Sequence, residues 1–466
     1  MNKDRLPHII TAVSFVVFIV LGLACASGPK VGGASQLNFS TNGGIGEVPK
    51  SQKVKANESI IIPDGTGLSF GDAVFAGWYS YSDDDTITNY RVGESVLFPG
   101  GQITLFAKWV LDIVDLDSAI GLANKLVWLQ NNAESGGSYT LEINTDESIA
   151  TQQLYYSGKE NITIILRSIG ANRIIRHIAN DNSVFQIYKG VSLIIDSNIT
   201  IDSSPPYGAI IVVTGGNLTL NSGSTITGSG ADTGVAVPSG TLIMNNGSTI
   251  TGIRGNIVTR VSGNSRDRQR TRGNGVQLNG GTFTMNQGAT ISNCNEQGVV
   301  LGKYANVKPS TFIMHGGTIT GNGGSITVEQ GVIPTEIGGG GVAVFNGTFT
   351  MHGGSITNNA VAGNGGGVIV GSGFAGGSAA VFTMNNGEIS RNSAKTYVHP
   401  VDGKLGGIGG GIFVRVGGTF NMSGGRIINN TSQTGGPNNA VFEERVDSNG
   451  RVTARASANI TGGNIQ

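Results

Sequence analysis

Thr282-Phe283-Thr284-Met285 returns as Thr311-Phe312-Ile313-Met314, Thr348-Phe349-Thr350-Met351, Val381-Phe382-Thr383-Met384 and Thr419-Phe420-Asn421-Met422. Within each tetrapeptide the side chains alternate as in a β-strand. Phe and Met share one face, and the residues beside them share the other. Six of the seven methionines (Met244, Met285, Met314, Met351, Met384 and Met422) hold this one position, and Leu220 holds it one unit earlier. The spacing between successive positions runs from 24 to 41 residues. A fixed strand at variable spacing means recurring strands joined by loops of variable length.

Two more strands recur along the same stretch. One reads Gly234-Val235-Ala236-Val237, Gly275-Val276-Gln277-Leu278, Gly298-Val299-Val300-Leu301, Gly341-Val342-Ala343-Val344, Gly367-Val368-Ile369-Val370 and Gly411-Ile412-Phe413-Val414. The other carries Ile226, Ile250, Ile291, Ile319, Ile356, Ile389 and Ile427. Three short strands per unit predict one coil of a parallel β-helix. Phe, Met and Ile of successive coils then stack inside, about 4.8 Å apart. Asn322, Asn358, Asn392 and Asn429 follow the Ile strand, where a corner needs a residue that tolerates the left-handed conformation. Clear repeats start near residue 208, with short β runs from about 139. The periodicity is similar to that of the pectin-lyase-like right-handed β-helix superfamily, a resemblance that implies a fold and carries no specific activity.

Composition agrees with an ordered, secreted solenoid. Gly supplies 76 of 466 residues, about twice the usual share. Charged residues are 13%, and Lys+Arg and Asp+Glu balance at 30 each. No net positive field exists to make nucleic acid a partner. Lys3 and Arg5 precede an apolar run from Ile9 to Ala24, too short and too early for a membrane span. It reads as a signal peptide over 1–24. The stretch Leu21-Gly22-Leu23-Ala24-Cys25 resembles a bacterial lipoprotein signal, although Gly22 stands where that signal usually has leucine. The resemblance implies a lipid anchor at Cys25, a flexible tether over 25–36, and a place in the bacterial cell envelope at the outer membrane or cell surface. Cys294, in a different context, is expected to pack as a small hydrophobe.

Residues 37–110 form a separate β module. Phe39, Asn42-Gly43-Gly44, Gly46, Pro49, Phe75, Gly77-Trp78, Tyr90, Gly93 and Leu105-Phe106-Ala107-Lys108-Trp109 resemble the Listeria–Bacteroides repeat, the B-repeat of internalin-type surface proteins. That resemblance implies a small β-grasp-like module and brings no catalytic residues. Trp78 and Trp109 are expected to fill its core. Asp83-Asp84-Asp85 lacks the alternating ligand spacing of a calcium loop and reads as a hydrophilic turn. Over 111–138, Leu116, Ile120, Ala123 and Val127 recur at helical spacing, with Asp115 and Asp117 placed to suit a helix N-terminus. A helix there would cap the open end of the coils in 139–466. The expected fold class is therefore all-β, a right-handed parallel β-helix with a small N-terminal β-grasp-like module and a helical cap.

Catalytic residues are sparse. Between 203 and 328 the only acids are Asp232, Asp267 and Glu296. Asp232 and Glu296 hold equivalent places two coils apart, roughly 10 Å by strand spacing and near the separation of an inverting pair. No basic or aromatic cluster accompanies them. His315 and His352 should stack outward without a third zinc ligand. Arg266, Arg268, Arg270 and Arg272 interrupt the repeat as an exposed loop. They offer an anion-binding surface for sulfated glycan or lipid A phosphate, against the plainer reading of a solvated insertion. The expected protein is a surface-displayed lipoprotein, a non-catalytic adhesin or scaffold. It has no cofactor or metal, and a host glycan or matrix protein is its partner. The alternative is a carbohydrate-active β-helix enzyme, lyase or hydrolase.

Overall fold

The computed structural model describes residues 35–81, 87–110, 116–117, 119–168, 170–178, 183–203, 208–255, 258–262, 265–270, 273–302, 307–323, 338–371, 380–398, 405–434, 437–446 and 451–466. The signal peptide, Cys25, Asp83–Asp85, Asp115 and Arg272 lie outside the described residues, as does nearly all of the tether. The chain is almost entirely β, dominated by one sheet of 19 strands and another of 11.

Each Phe–Met strand pairs in parallel with its counterpart in the next unit, like residue on like. Phe283, Phe312, Phe349, Phe382 and Phe420 are successive partners, as are Met244, Met285, Met314, Met351, Met384 and Met422. The Ile strands pair in the second large sheet, from Ile226 to Ile427 and on to Ile465. These Phe, Met and Ile side chains are buried, except for the half-buried Ile465 at the end of the column. The phenyl rings of Phe283, Phe312, Phe349 and Phe382 stack with centroids 4.5–4.7 Å apart, the rise of one strand.

The register extends further than the Phe–Met landmarks. Ser138–Glu142, Ile162–Arg167, Val191–Ile195 and Ala209–Leu220 pair in sequence, with Leu141, Leu166, Ile195 and Leu220 in the methionine column. At the other end Ile460 pairs with Met422. Ala440–Phe442 continues the Gly-Val sheet, and an antiparallel hairpin, Glu444–Val446 with Val452–Arg455, follows it. Three separate strands per unit is also not universal. Ala209–Leu220 and Thr233–Met244 each run 12 residues through what are two strands elsewhere.

The Gly that opens each Gly-Val strand has a packing cause. A Cβ on Gly341 would fall 2.5 Å from Ile356 Cγ2 and 3.0 Å from Asn359 Nδ2, and one on Gly411 would meet Ile427 and Asn430 equally closely. Without it the Gly-Val and Ile sheets could not close on each other. The strands that follow are buried on both faces. Val300, Ala343, Ile369 and Phe413 point away from the main core and build a small second cluster with Phe345. Burial on both faces explains why these strands are continuous apolar runs.

The N-terminal module has a five-stranded sheet in the order Gln52–Lys53, Gln36–Ser40, Gln102–Val110, Val74–Tyr81, Ile87–Tyr90. Trp78 and Trp109 fill its core, and their indole N–H groups donate to the carbonyls of Pro63 and Thr41. The helix is shorter than the 111–138 segment, spanning Gly121–Asn132. Asp117 lies outside it and does not cap it. The N-cap residue is Ile120, which makes no side-chain cap bond, and a partner comes from the stack: Glu147 Oε1 accepts the Leu122 N–H at 3.3 Å, at the positive end of the helix dipole. The helix is buried on two sides. Leu122, Leu126 and Leu129 join the core of the stack, while Val127 joins the core of the module. Gln152 of the stack donates to the Gly43 carbonyl of the module at 3.1 Å, so the two share a direct contact as well.

Candidate functional site

Two asparagine positions, one residue apart, lie at the corner after the Ile strand. Asn293, Asn358, Arg391 and Asn429 are left-handed, with φ of 55–57°. The next residue in each unit turns inward to form a buried ladder. Asn322, Asn359 and Asn392 each accept, at Oδ1, the backbone N–H of the residue one unit earlier, at 2.9–3.0 Å. Asn430 and Asn439 continue the ladder. The side-chain Nδ2 groups of Asn359 and Asn392 donate to the carbonyls of Ile319 and Ile356. This corrects the grouping of Asn322 and Asn392 with Asn358 and Asn429. The first pair is interior wiring, and the second pair makes the bend.

Cys294 occupies the ladder column where its neighbours are Asn. It is buried, with Sγ 3.5 Å from the Ser292 carbonyl, and burial pushes its thiol pKa up to about 12. It packs as a small hydrophobe, and its thiol stays protonated. A Cys25→Ser protein treated with an aromatic disulfide reagent at pH 8 should therefore release almost no thiolate until denaturant is added. A folded pKa above the unfolded value means that the unfolded chain loses its proton first. This thiol's contribution to stability is thus complete below about pH 8.5 and fades towards pH 12, by up to ~1.4 kcal/mol per pH unit.

The residue after each methionine builds a polar ladder at the outer corner, running from Asp196 through Asn221, Asn245, Asn286, His315, His352 and Asn385 to Ser423. Asn221 donates to Asp196, Asn245 to Asn221 and Asn286 to Asn245, at 2.8–3.3 Å. The His315 and His352 rings stack outward as expected, 5.3 Å apart and 12° from parallel. Asn385 Nδ2 lies 3.2 Å from His352 Nδ1, and Ser423 donates to Asn385 at 3.1 Å. Among the described residues no group of three or more His, Cys, Asp or Glu could hold a metal ion.

Asp232 and Glu296 do hold equivalent places two units apart. The Asn274 N–H donates to the Asp232 carbonyl and the Glu296 N–H to that of Gly273. Both residues are only 5% exposed, and Asp232 Oδ2 accepts the Gly208 N–H at 3.3 Å. Carboxylates as buried as these are poorly presented to a polymer chain. The arginine insertion is not an irregular loop. Val258–Ser262 and Ser265–Arg270 pair antiparallel as a β-ribbon, with Arg260 opposite Arg268.

A cavity of about 280 Å³ opens where module, helix and stack meet. Tyr79 and Lys108 come from the module, Gln130 from the last turn of the helix, and Tyr155, Tyr156 and Lys159 from the first units of the stack. Lys108 donates to Asn89 Oδ1 at 3.2 Å and Lys159 to the Ala133 carbonyl. Tyr79 OH accepts from Asn42 Nδ2 at 3.1 Å. Tyr156 is 5% exposed, and its hydroxyl has no hydrogen-bond partner among the described residues. Burial, and then the phenols of Tyr139 and Tyr79, raise its pKa well above the ordinary tyrosine value. Beside the cavity Tyr81, Phe106, Tyr155 and Tyr188 form an aromatic cluster, with Tyr81 and Tyr155 centroids 4.3 Å apart. Nothing in the sequence pointed to this site, because its lining comes from three separate segments of the chain.

No protein-family model, no curated protein and no solved structure matches the chain.

Proposed function

We propose that this chain is a surface-displayed lipoprotein, anchored through Cys25 in the bacterial cell envelope. It acts as a non-catalytic adhesin or scaffold built on a right-handed parallel β-helix. The right hand follows from the general rule for parallel crossovers. The helix Gly121–Asn132 serves as the cap, and the 37–110 module, similar to the Listeria–Bacteroides repeat, is its β-grasp-like outer neighbour. What supports the reading is the outer ladder from Asp196 to Ser423, hydrogen-bonded from Asp196 to Asn286 and from His352 to Ser423, with the His315 and His352 rings stacked between. Thr and Ser columns run beside it, as in the Thr251–Ser292 contact at 2.9 Å. A long, rigid, neutral polar face suits contact with a glycan or matrix protein more than chemistry on a substrate.

The purified mature protein should retain one or more ligands on an array of glycans and matrix proteins, and should leave polysaccharides intact. Release of reducing or unsaturated ends, abolished in Glu296→Gln or Asp232→Asn, would replace this reading with the carbohydrate-active one.

A further inference from the structure

We infer that the cavity at the junction of module, helix and stack binds a small organic anion, one carboxylate carried on a single ring. The site shares no residue with the outer ladder, so it stands or falls separately from the adhesin reading.

Charge comes first. Lys108 enters from the module and Lys159 from the first units of the stack, and no Asp or Glu is among the described residues that line the cavity. Neither ammonium has a carboxylate partner among the described residues. Lys108 donates to Asn89 Oδ1 at 3.2 Å and Lys159 to the Ala133 carbonyl, so each meets a neutral oxygen and keeps N–H groups to spare. Arginines in the first units of the stack are placed differently. Arg167 pairs with Glu142 at 2.9 Å, and Arg176 with Asp146 at 3.4 Å. Two like charges lining one cleft repel each other, and walls of low polarity focus their field into it. Such a cleft gathers counter-ions.

Size and walls narrow the anion. About 280 Å³ is close to the lower end of small-molecule sites, roughly 300 Å³. A bare acetate or phosphate would leave most of that space empty. Tyr79 and Tyr155 bring aromatic surface to the walls, which suits the apolar face of a ring and is wasted on an inorganic ion. Gln130 and Ser157 are half-buried and offer donors and acceptors to hydroxyls on the ring. An acidic sugar and an aromatic acid share this chemistry.

The walls are tied together without a ligand. The Lys159–Ala133 contact joins the stack to the end of the helix. Asn131 Nδ2 donates to the Trp109 carbonyl at 3.4 Å, joining helix to module. Tyr155 packs on Tyr81 with centroids 4.3 Å apart, joining stack to module. A site held this way loses little freedom on binding, which favours even a small ligand.

The test uses the full mature chain and five probes at tens of millimolar: glucuronate, benzoate, acetate, inorganic phosphate and glucose. Saturation-transfer NMR and titration calorimetry are the readouts. Glucuronate or benzoate should bind with a Kd on the order of 1 mM, and whichever binds tighter identifies the source as a sugar acid or an aromatic acid. Acetate, phosphate and glucose should each bind at least tenfold more weakly. Raising the salt from about 10 mM to about 1 M, which shortens the screening length from about 30 to about 3 Å, should weaken the ring carboxylate several-fold. Lys108→Gln should weaken it roughly fivefold and leave the Tm of the free protein unchanged, because the contact given up is to the exposed Asn89. Lys108→Arg should restore most of the affinity. Lys159→Gln should weaken it by a similar factor, whether or not loss of the Ala133 contact lowers its Tm. Failure of both ring carboxylates to bind would overturn the inference, as would Lys108→Gln and Lys159→Gln both binding as tightly as the parent. Glucose binding as tightly as glucuronate would overturn the choice of an anion, and phosphate binding more tightly than either ring carboxylate would overturn the choice of a ring.

Discussion

Asn392→Ala should destabilise the stack by about 3–6 kcal/mol in urea unfolding, with the fold otherwise retained. The magnitude follows from what is stranded. Asn392 Oδ1 accepts both the backbone N–H and the side-chain Nδ2 of Asn359, at 2.9 and 3.0 Å, and Asn392 Nδ2 donates to the Ile356 carbonyl. Alanine leaves all three groups buried without that partner, at about 1–3 kcal/mol each. Asn392 itself is fully buried, so water cannot step in. The neighbouring column gives the control. Asn358→Gly should cost a few tenths of a kcal/mol or less, because Asn358 is left-handed at φ 56° and its role is conformational. Equal, small losses for both variants would mean that the buried ladder is incidental to stability.

The two asparagine columns also show how far the sequence could be read. Asn recurs after the Ile strand in both columns, one residue apart. A left-handed corner and a buried ladder both accept Asn, so composition alone does not separate them. Register does, and register at that corner depends on contacts between units. The Phe–Met column was legible because two rare, bulky residue types mark it. The same column was faint before residue 208, where Leu141, Leu166 and Ile195 fill it with residues common everywhere. The helix was legible in kind but not in its start. Its N-terminal partner, Glu147, lies 25 residues from Leu122, beyond any local capping pattern. The junction cavity was not legible at all, since it is made entirely by long-range docking of three elements. Asp232 and Glu296 were placed correctly along the stack, but their burial could not be read from spacing.

Phe349→Ala should cost about 3–5 kcal/mol, the usual range for emptying a buried aromatic site. Phe349 is stacked between Phe312 and Phe382, with centroids 4.6 and 4.5 Å away, so a cavity there also breaks the ring column. Collapse is restricted because strand pairing holds the neighbouring units at fixed spacing. Phe349→Leu should cost no more than ~1.5 kcal/mol, because Leu242 already occupies the same column opposite Phe283. Thermal or urea unfolding of the two variants separates these outcomes. Alanine tolerated as well as leucine would show that the rings are not packed in a continuous interior column.

The central claim is that units far apart in sequence stack in parallel at one strand spacing. The outer-face positions Thr219, Ile243, Thr284, Ile313, Thr350, Thr383 and Asn421 are successive register partners. Spin labels at Thr219 paired with Thr350, Thr383 or Asn421 report this directly by pulsed electron–electron resonance. The mean separations should rise in even steps of about 4.8 Å, to about 19, 24 and 29 Å, with narrow distributions. Separations that follow the number of intervening residues instead, or that do not rise along the series, would contradict the stack.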